Sequence, residues 1–148
     1  MMFGGSRSGK TFLAVYAIIV RALKSPESRH VMLRFRFNAI KASIIFDTFP
    51  KVMKLCFPSV EYEINKTDWI VTFKNNAQIW FGGLDDKERT EKILGQEYAT
   101  IFMNECSQIP WRSVGIAMTR LAQKCIENDG IPLKLRMLFD CNPPERIK

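Results

Sequence analysis

A phosphate-binding pattern of the form G-x-x-x-x-G-K-[ST] lies near the start of the 148-residue chain. It comprises eight consecutive residues: Gly4, Gly5, Ser6, Arg7, Ser8, Gly9, Lys10 and Thr11. The glycines allow successive backbone N–H groups to turn toward a phosphate, and the helix that follows presents its positive end there. We expect Lys10 to reach the β- and γ-phosphates and the Thr11 hydroxyl to bind the metal. The pattern therefore predicts ATP and Mg²⁺ as ligands.

A second pattern places two polar residues at the end of an apolar strand. Residues 98–103 read YATIFM and lead directly into Asn104 and Glu105. In nucleotide hydrolases the first such position helps to hold Mg²⁺, and the second orients the attacking water. We therefore expect Asn104 near the metal, through a metal-bound water, and Glu105 as the catalytic carboxylate. The alternative is that these residues form an ordinary polar strand end. The phosphate-binding loop (P-loop) at residues 4–11 of the same chain favours the catalytic interpretation.

Arg7 and Asn142 are further candidates for contact with the γ-phosphate, and each has alternatives. Arg7 is solvated, or binds a phosphate-bearing partner, or acts in cis as an arginine finger that stabilises transition-state charge. Asn142 follows the last predicted strand, in the segment DCNPP (140–144), which two prolines stiffen. It could sense the γ-phosphate, or the segment could be a plain strand-ending turn.

Helix-like and strand-like segments alternate along the chain and predict an α/β fold. Continuous apolar strands are typical of a mostly parallel sheet with helices on both faces, here with a β-meander insertion. Ligands of such sheets bind beyond the carboxyl ends of the strands, where the polar residues above fall. The predicted strands are 1–3, 30–35, 62–65, 69–73, 78–81, 98–103 and 133–139. The predicted helices are 10–23, 39–55 with an interruption at Pro50, 85–93 and 111–124.

The net charge of +7 is unevenly distributed. Residues 1–60 contain ten Lys and Arg against two acids, whereas residues 61–100 contain five against eight. A basic surface suits a phosphate-rich partner, such as a nucleotide or DNA. No apolar stretch approaches the ~20 residues needed to span a bilayer, so we expect no membrane partner.

The cysteines and the single histidine are not expected to do chemistry. The cysteines, at 56, 106, 125 and 141, are widely spaced and form no C-x-x-C pair. We therefore expect reduced cysteines in a core, and neither a disulfide framework nor a zinc site. His30 precedes an apolar run and is interpreted as a surface or strand-edge residue without a catalytic role.

Three short motifs, together with the P-loop, resemble the large terminase subunit of tailed bacteriophages. They are FGGLDD at 81–86, NECSQI at 104–109 and NPP at 142–144. The resemblance covers nearly the whole chain and implies an ATPase of the additional-strand, conserved-glutamate kind, which drives double-stranded DNA into an empty capsid. The implied partners are the DNA, the portal protein, the small terminase subunit and further copies of the chain in a ring, in the host cytoplasm.

The resemblance also implies roles for individual residues. They are Lys10 and Thr11 as the Walker A pair, Glu105 as the catalytic glutamate, Arg7 as a P-loop arginine and Asn142 as part of a coupling motif. Asn104 departs from the family, which more usually has Asp there, and this weakens the expectation of direct metal coordination. We expect residues 1–148 to be one ATPase domain that lacks the segment before the P-loop, with its adenine pocket, and the C-terminal ribonuclease-H-like nuclease.

Two other functions fit parts of the pattern. A nucleotide or small-molecule kinase also begins with a P-loop, but it requires an arginine-bearing lid and an acceptor pocket, for which the sequence offers no clear candidate. A fragment that binds nucleotide or DNA without turnover is the non-enzymatic alternative.

Overall fold

The computed structural model describes the backbone of residues 7–141 and the side chains of residues 9–141. The helices in that range are α1 (Arg7–Lys24), α2 (Phe37–Ile40), α3 (Phe49–Cys56), α4 (Lys87–Leu94) and α5 (Trp111–Met118). The strands are β1 (Arg29–Arg34), β2 (Tyr62–Asn65), β3 (Ile70–Phe73), β4 (Gln78–Gly83), β5 (Thr100–Asn104) and β6 (Arg136–Asp140). None of the described helices is long and apolar enough to cross a membrane.

The six strands form one mixed sheet in the order β2-β3-β4-β1-β5-β6. Strands β4, β1, β5 and β6 run parallel, whereas β2, β3 and β4 form an antiparallel meander. Alternate residues of β1 face opposite sides: Met32 joins the core under α1 and α3, and Val31 and Leu33 join the core under α4 and α5. The predicted α/β fold, with helices on both faces and a meander, is confirmed.

The FGGLDD segment (81–86) shapes the turn from β4 to α4 against α2. A Cβ atom on Gly83 would lie 2.5 Å from the backbone nitrogen of Phe37, so a side chain does not fit there. The Asp85 carboxylate accepts a hydrogen bond from the Phe37 N–H at 3.2 Å. The Asp86 carboxylate caps α4 by accepting from the Glu88 N–H. The motif therefore fixes the carboxyl end of β4 by close packing and capping.

The predicted helix over 39–55 consists of three consecutive segments. A π-helical stretch at Lys41–Thr48 separates α2 from α3. Pro50 lies in the first turn of α3 and has no N–H to donate to the turn before it, so the regular α-helical ladder is broken there. The expected interruption at Pro50 is confirmed, and the stretch before it is more loosely wound than predicted.

The predicted helix over 111–124 is wrong at its C-terminal end, because α5 stops at Met118. The Tyr98 N–H donates to the Arg120 carbonyl at 2.8 Å, and the Tyr98 carbonyl accepts from the Ala122 N–H at 3.1 Å. These bonds hold residues 120–122 alongside the sheet, so their backbone groups are not available for a further helical turn.

His30 is fully buried, which corrects the expectation of a surface or strand-edge residue. The Arg21 Nε–H donates to the Thr100 hydroxyl at 2.7 Å, and that hydroxyl lies 2.7 Å from His30 Nδ1. On the other side of the ring, Nε2 lies 2.7 Å from the Ser28 hydroxyl, which itself donates to the Ser25 carbonyl. Burial, and then the charge of Arg21, lowers the pKa of His30 to about 3. This His30 network (Arg21, Ser28, His30 and Thr100) therefore joins α1 to β1 and β5 through a neutral imidazole.

Candidate nucleotide site

The start of α1 and the carboxyl ends of β5 and β6 meet at one edge of the sheet. Strands β5 and β6 are parallel neighbours, and their last residues, Asn104 and Asp140, are partners in the register. Helix α1 begins three residues earlier than predicted, so Arg7–Gly9 belong to its first turn. The N-terminus of a helix carries a partial positive charge, which suits a phosphate ligand. The polar side chains buried at this edge are Lys10, Thr11, Asn104, Glu105 and Asp140.

The two Walker A side chains both contact the end of β6. The Thr11 hydroxyl donates to Asp140 Oδ2 at 2.9 Å. Lys10 Nζ lies 3.7 Å from the other carboxylate oxygen, Oδ1, and donates to the Cys141 carbonyl at 3.2 Å. Asp140 is only 4% exposed, so its charge is little screened by solvent. The carboxylate therefore lies beside both the ammonium group and the hydroxyl that the P-loop pattern assigns to phosphate and metal.

Asn104 connects this carboxylate to the basic end of β1. Its amide nitrogen Nδ2 donates to Asp140 Oδ2 at 2.9 Å, and its amide oxygen Oδ1 accepts from Arg34 Nη1 at 3.3 Å. Arg34 also donates to the Ser43 hydroxyl at 3.2 Å, which links the site to the π-helical stretch. The amide of Asn104 therefore turns its nitrogen, not its oxygen, toward Asp140.

Glu105 follows β5 in a left-handed backbone conformation, with φ 53° and ψ 51°. Left-handed backbone costs a non-glycine residue roughly 1–2 kcal/mol, and such residues are concentrated at functional sites. The side chain is buried, at 8% exposure. The sharp turn ends the strand and leads at once into a 3₁₀ turn at Cys106–Gln108, so Glu105 lies directly beyond the strand end, where the sequence predicts it.

Cys106 and Cys141 form a disulfide, with Cα atoms 5.2 Å apart. The expectation of reduced core cysteines is therefore wrong for this pair, and it is also wrong for Cys56, which is exposed. The disulfide pairs two residues 35 positions apart, one directly after Glu105 and the other directly after Asp140. It could not be predicted from spacing, because only the adjacency of β5 and β6 brings the two thiols together.

Several predicted site residues lie outside the described part of the chain. These are Gly4, Gly5, Ser6 and Asn142, together with the strand predicted over 1–3. The backbone of Arg7 and Ser8 is in α1, but their side chains are not described. Gly9 lies in the first turn of α1, next to Lys10. Nucleotide binding by these residues remains a prediction from the P-loop pattern.

The donor set fits Mg²⁺, which prefers hard oxygen ligands and usually binds through one or two protein groups together with substrate phosphates. The Thr11 hydroxyl and the Asp140 carboxylate are such groups, 2.9 Å apart. Within the described residues, no group of three or more His, Cys, Asp or Glu side chains forms a self-sufficient metal site. The geometry therefore suits a metal that arrives with its phosphates.

Asp140 was not predicted as a site residue, whereas for Arg34 the sequence left open a contact with phosphate or a cap on the following helix. The sequence signal for Asp140 is an acidic residue at the carboxyl end of a strand, but its significance depends on β6 being next to β5. The signal for Arg34 is a basic residue at the end of β1, which lies on the other side of β5.

Solved structures with the same fold include those of phage large terminases. The large terminase of a thermophilic bacteriophage has a TM-score of 0.75 at 21% identity, over 95% of this chain and 33% of that chain. The same terminase in complex with ATP-gamma-S gives 0.70 at 20% identity, over 95% and 32%. The ATPase domain of the Thermus phage P74-26 large terminase gives 0.58 at 11% identity, over 97% and 59%. The chain thus spans about a third of the first of these terminases.

Family-level comparison agrees with the fold. Among curated proteins, no sequence matches the chain significantly. The sequence model described as "Phage terminase large subunit" matches residues 1–147. The chain therefore belongs to the phage terminase large subunit family.

Proposed function

We propose that this chain binds Mg-ATP and hydrolyses it, as the ATPase portion of a motor that packages double-stranded viral DNA. The observation that carries the proposal is the contact of Lys10 and Thr11 with the carboxyl end of β6, which pairs with β5, the strand that leads into Glu105. Family membership supports a nucleotide at this site, and so does the complex of the thermophilic bacteriophage terminase with ATP-gamma-S.

Each residue has a distinct part in the proposed reaction. Lys10 binds the β- and γ-phosphates and offsets their charge, while Glu105 orients and polarises the attacking water. Arg7 adds positive charge at the γ-phosphate from the first turn of α1. The Thr11 hydroxyl and the Asp140 carboxylate would hold Mg²⁺, which would supply positive charge to offset the negative charge of the phosphates.

Lys10 also connects the proposed phosphate site to the segment that contains Asn142. Its ammonium group donates to the carbonyl of Cys141, the residue before Asn142. An ammonium has three donors, and a γ-phosphate competes for them with this carbonyl. Gain and loss of the phosphate therefore changes the contact that Lys10 makes with the residue next to Asn142. We propose that this is how hydrolysis is coupled to movement.

The Glu105→Gln substitution tests the hydrolytic role. The amide keeps the shape of the side chain but does not polarise water as a carboxylate does, so we expect phosphate release to fall by about 10²–10⁴-fold while ATP-gamma-S binding is retained. Glu91→Gln, on the exposed surface of α4, is the matched control and should leave the rate unchanged. Unchanged turnover in Glu105→Gln would contradict the assignment.

We also propose the assembly in which the chain works. It remains a proposal because the chain covers only 33% of the thermophilic bacteriophage terminase. The proposed partners are DNA, the portal protein, the small terminase subunit and further copies in a ring, in the host cytoplasm. The ten basic residues of 1–60 favour DNA contact. The phosphate-release assay, repeated with double-stranded DNA over a salt series, tests this contact. Stimulation should weaken steeply with salt, and stimulation that is absent or independent of salt contradicts an electrostatic DNA surface.

A further inference from the structure

We infer that Asp140, rather than residue 104, supplies the carboxylate that faces Mg²⁺ in this site. The inference rests on the proposed function and deepens it, because it moves the metal-facing negative charge from the end of β5 to the end of β6. Strand pairing makes the move possible, since Asn104 and Asp140 occupy partner positions at the ends of adjacent parallel strands.

The first support is the contact with Thr11. P-loop proteins hold the metal between the P-loop Ser or Thr and an acidic residue at a strand end. In this chain the Thr11 hydroxyl is hydrogen-bonded to Asp140 Oδ2 at 2.9 Å. Lys10 lies 3.7 Å from Oδ1, so the same carboxylate is held between both Walker A side chains.

The second support is the orientation of Asn104. Arg34 has only donors to offer, and the Asp140 carboxylate has only acceptors. The Asn104 oxygen must therefore face Arg34 and its nitrogen must face Asp140, as the 3.3 Å and 2.9 Å contacts have it. An amide nitrogen does not coordinate Mg²⁺, which takes oxygen ligands. Asn104 thus acts as a positioning residue that holds the Asp140 carboxylate.

The third support explains why residue 104 is an amide. Asn104 Nδ2 is 2.9 Å from Asp140 Oδ2, so an Asp at 104 would bring two carboxylates together in a buried place. Two carboxylates at this distance repel each other, and their burial leaves that repulsion little screened by solvent. The amide at 104 and the carboxylate at 140 therefore complement each other, and this pair of residues carries a single negative charge, on Asp140.

The test measures how much Mg²⁺ strengthens nucleotide binding. Dissociation constants of ADP and ATP-gamma-S are measured by calorimetry in Mg²⁺ and in EDTA. The Mg²⁺ ratio, which is the dissociation constant in EDTA divided by that in Mg²⁺, is then compared among variants. We expect Asp140→Asn to reduce the ratio by about tenfold or more. The exchange Asn104→Asp with Asp140→Asn keeps one carboxylate in the pair and should recover much of it. Asp129→Asn, near the opposite end of α1, removes the same charge and should keep the unsubstituted ratio.

Each outcome decides the assignment. A lower Mg²⁺ ratio in Asp140→Asn, together with recovery of the ratio in the exchange variant, supports the assignment of Asp140. An unchanged ratio in Asp140→Asn overturns it, and so does an equal loss of affinity in Mg²⁺ and EDTA, which indicates a purely structural role. Failure of the exchange variant to recover any of the ratio, when its thermal midpoint is normal, also overturns it. Absence of nucleotide binding by the unsubstituted chain overturns the proposed function as well, so the two failures are distinguishable.

Discussion

Helix α1 reaches two buried polar regions of the sheet, one near each of its ends, and they differ in charge. Near its start, Lys10 and Thr11 contact Asp140 in the candidate nucleotide site. Near its end, Arg21 contacts Thr100 in the His30 network. Strand β5 also joins both regions, since Thr100 and Asn104 lie at its two ends, roughly 13 Å apart.

The two regions use their hydrogen bonds differently. In the His30 network the Arg21 guanidinium donates to Thr100, and from there the bonds pass between neutral groups until they end on a backbone carbonyl. In the nucleotide site, three side chains of opposite or complementary polarity converge on one carboxylate, Asp140. The burial of a polar residue therefore does not by itself indicate function. The proposed nucleotide site rests instead on the convergence of donors on a charge at the carboxyl edge of the sheet.

The largest expected effect on stability is at Arg21. Arg21→Met removes a buried charged donor that bonds to the Thr100 hydroxyl and to the Ala99 and Lys134 carbonyls. We expect the free energy of unfolding to fall by about 3 kcal/mol in urea denaturation. Lys24→Met is the control on the same helix: its ion pair with Glu127 is partly exposed, and its loss should cost less than about 1 kcal/mol.

Arg21→Met also tests the division between the two regions. At a temperature where the variant is folded, its affinity for ATP-gamma-S should equal that of the unsubstituted chain. A stability loss below about 1 kcal/mol, or a selective loss of nucleotide affinity, would break the comparison.

A smaller effect is expected in the pH dependence of the unfolding free energy, through His30. The pKa of His30 is about 3 in the folded chain and about 6.5 when unfolded. The folded state thus binds fewer protons, so its stability is complete above pH 6.5 and is lost as pH falls toward 3. We expect the contribution of His30 to decrease by about 2 kcal/mol between pH 7 and pH 5.

The matched measurement for His30 is the difference in unfolding free energy between pH 7 and pH 5 for the unsubstituted chain and His30→Asn. The variant should show the flatter dependence, whatever its absolute stability. Parallel slopes in the two proteins would show that the imidazole is not held neutral by burial.

The smallest effect is expected at Glu105. Glu105→Gly relieves the left-handed backbone while losing the contacts of the side chain, so the two changes oppose each other. We expect the unfolding free energy to stay within about 1 kcal/mol of the unsubstituted value, while phosphate release is lost. A destabilisation above about 2 kcal/mol would place Glu105 with the structural residues of the His30 network instead.

The sequence was sufficient for those features that depend on local pattern. Helix α1 and the buried parallel strands follow from apolar runs and the P-loop, and Pro50 marked the break in the second helical region. The end of α5 was missed because it depends on pairing with Tyr98, which lies more than 20 residues earlier in the chain. His30 was misplaced for the same reason, since its partner Thr100 is 70 residues away.

The residues of the candidate site show the same difference between local patterns and contacts that depend on distant parts of the chain. Lys10, Thr11 and Glu105 lie in motifs that carry their own signal, and the structure brings Lys10 and Thr11 to the end of β6, the neighbour of the strand that Glu105 follows. Asp140 and the Cys106–Cys141 pair depend on β6 adding beside β5, an arrangement that no local pattern encodes.

The backbone at Glu105 has a consequence for protein engineering. A left-handed position favours Gly or Asn, so a redesign that scores sequences only by stability has little reason to keep a glutamate there. Optimisation of this chain for thermal resistance would therefore tend to erase the residue on which its proposed turnover depends. Position 105 should be held fixed in any such library, because an exchange there that is near neutral for stability is expected to abolish turnover.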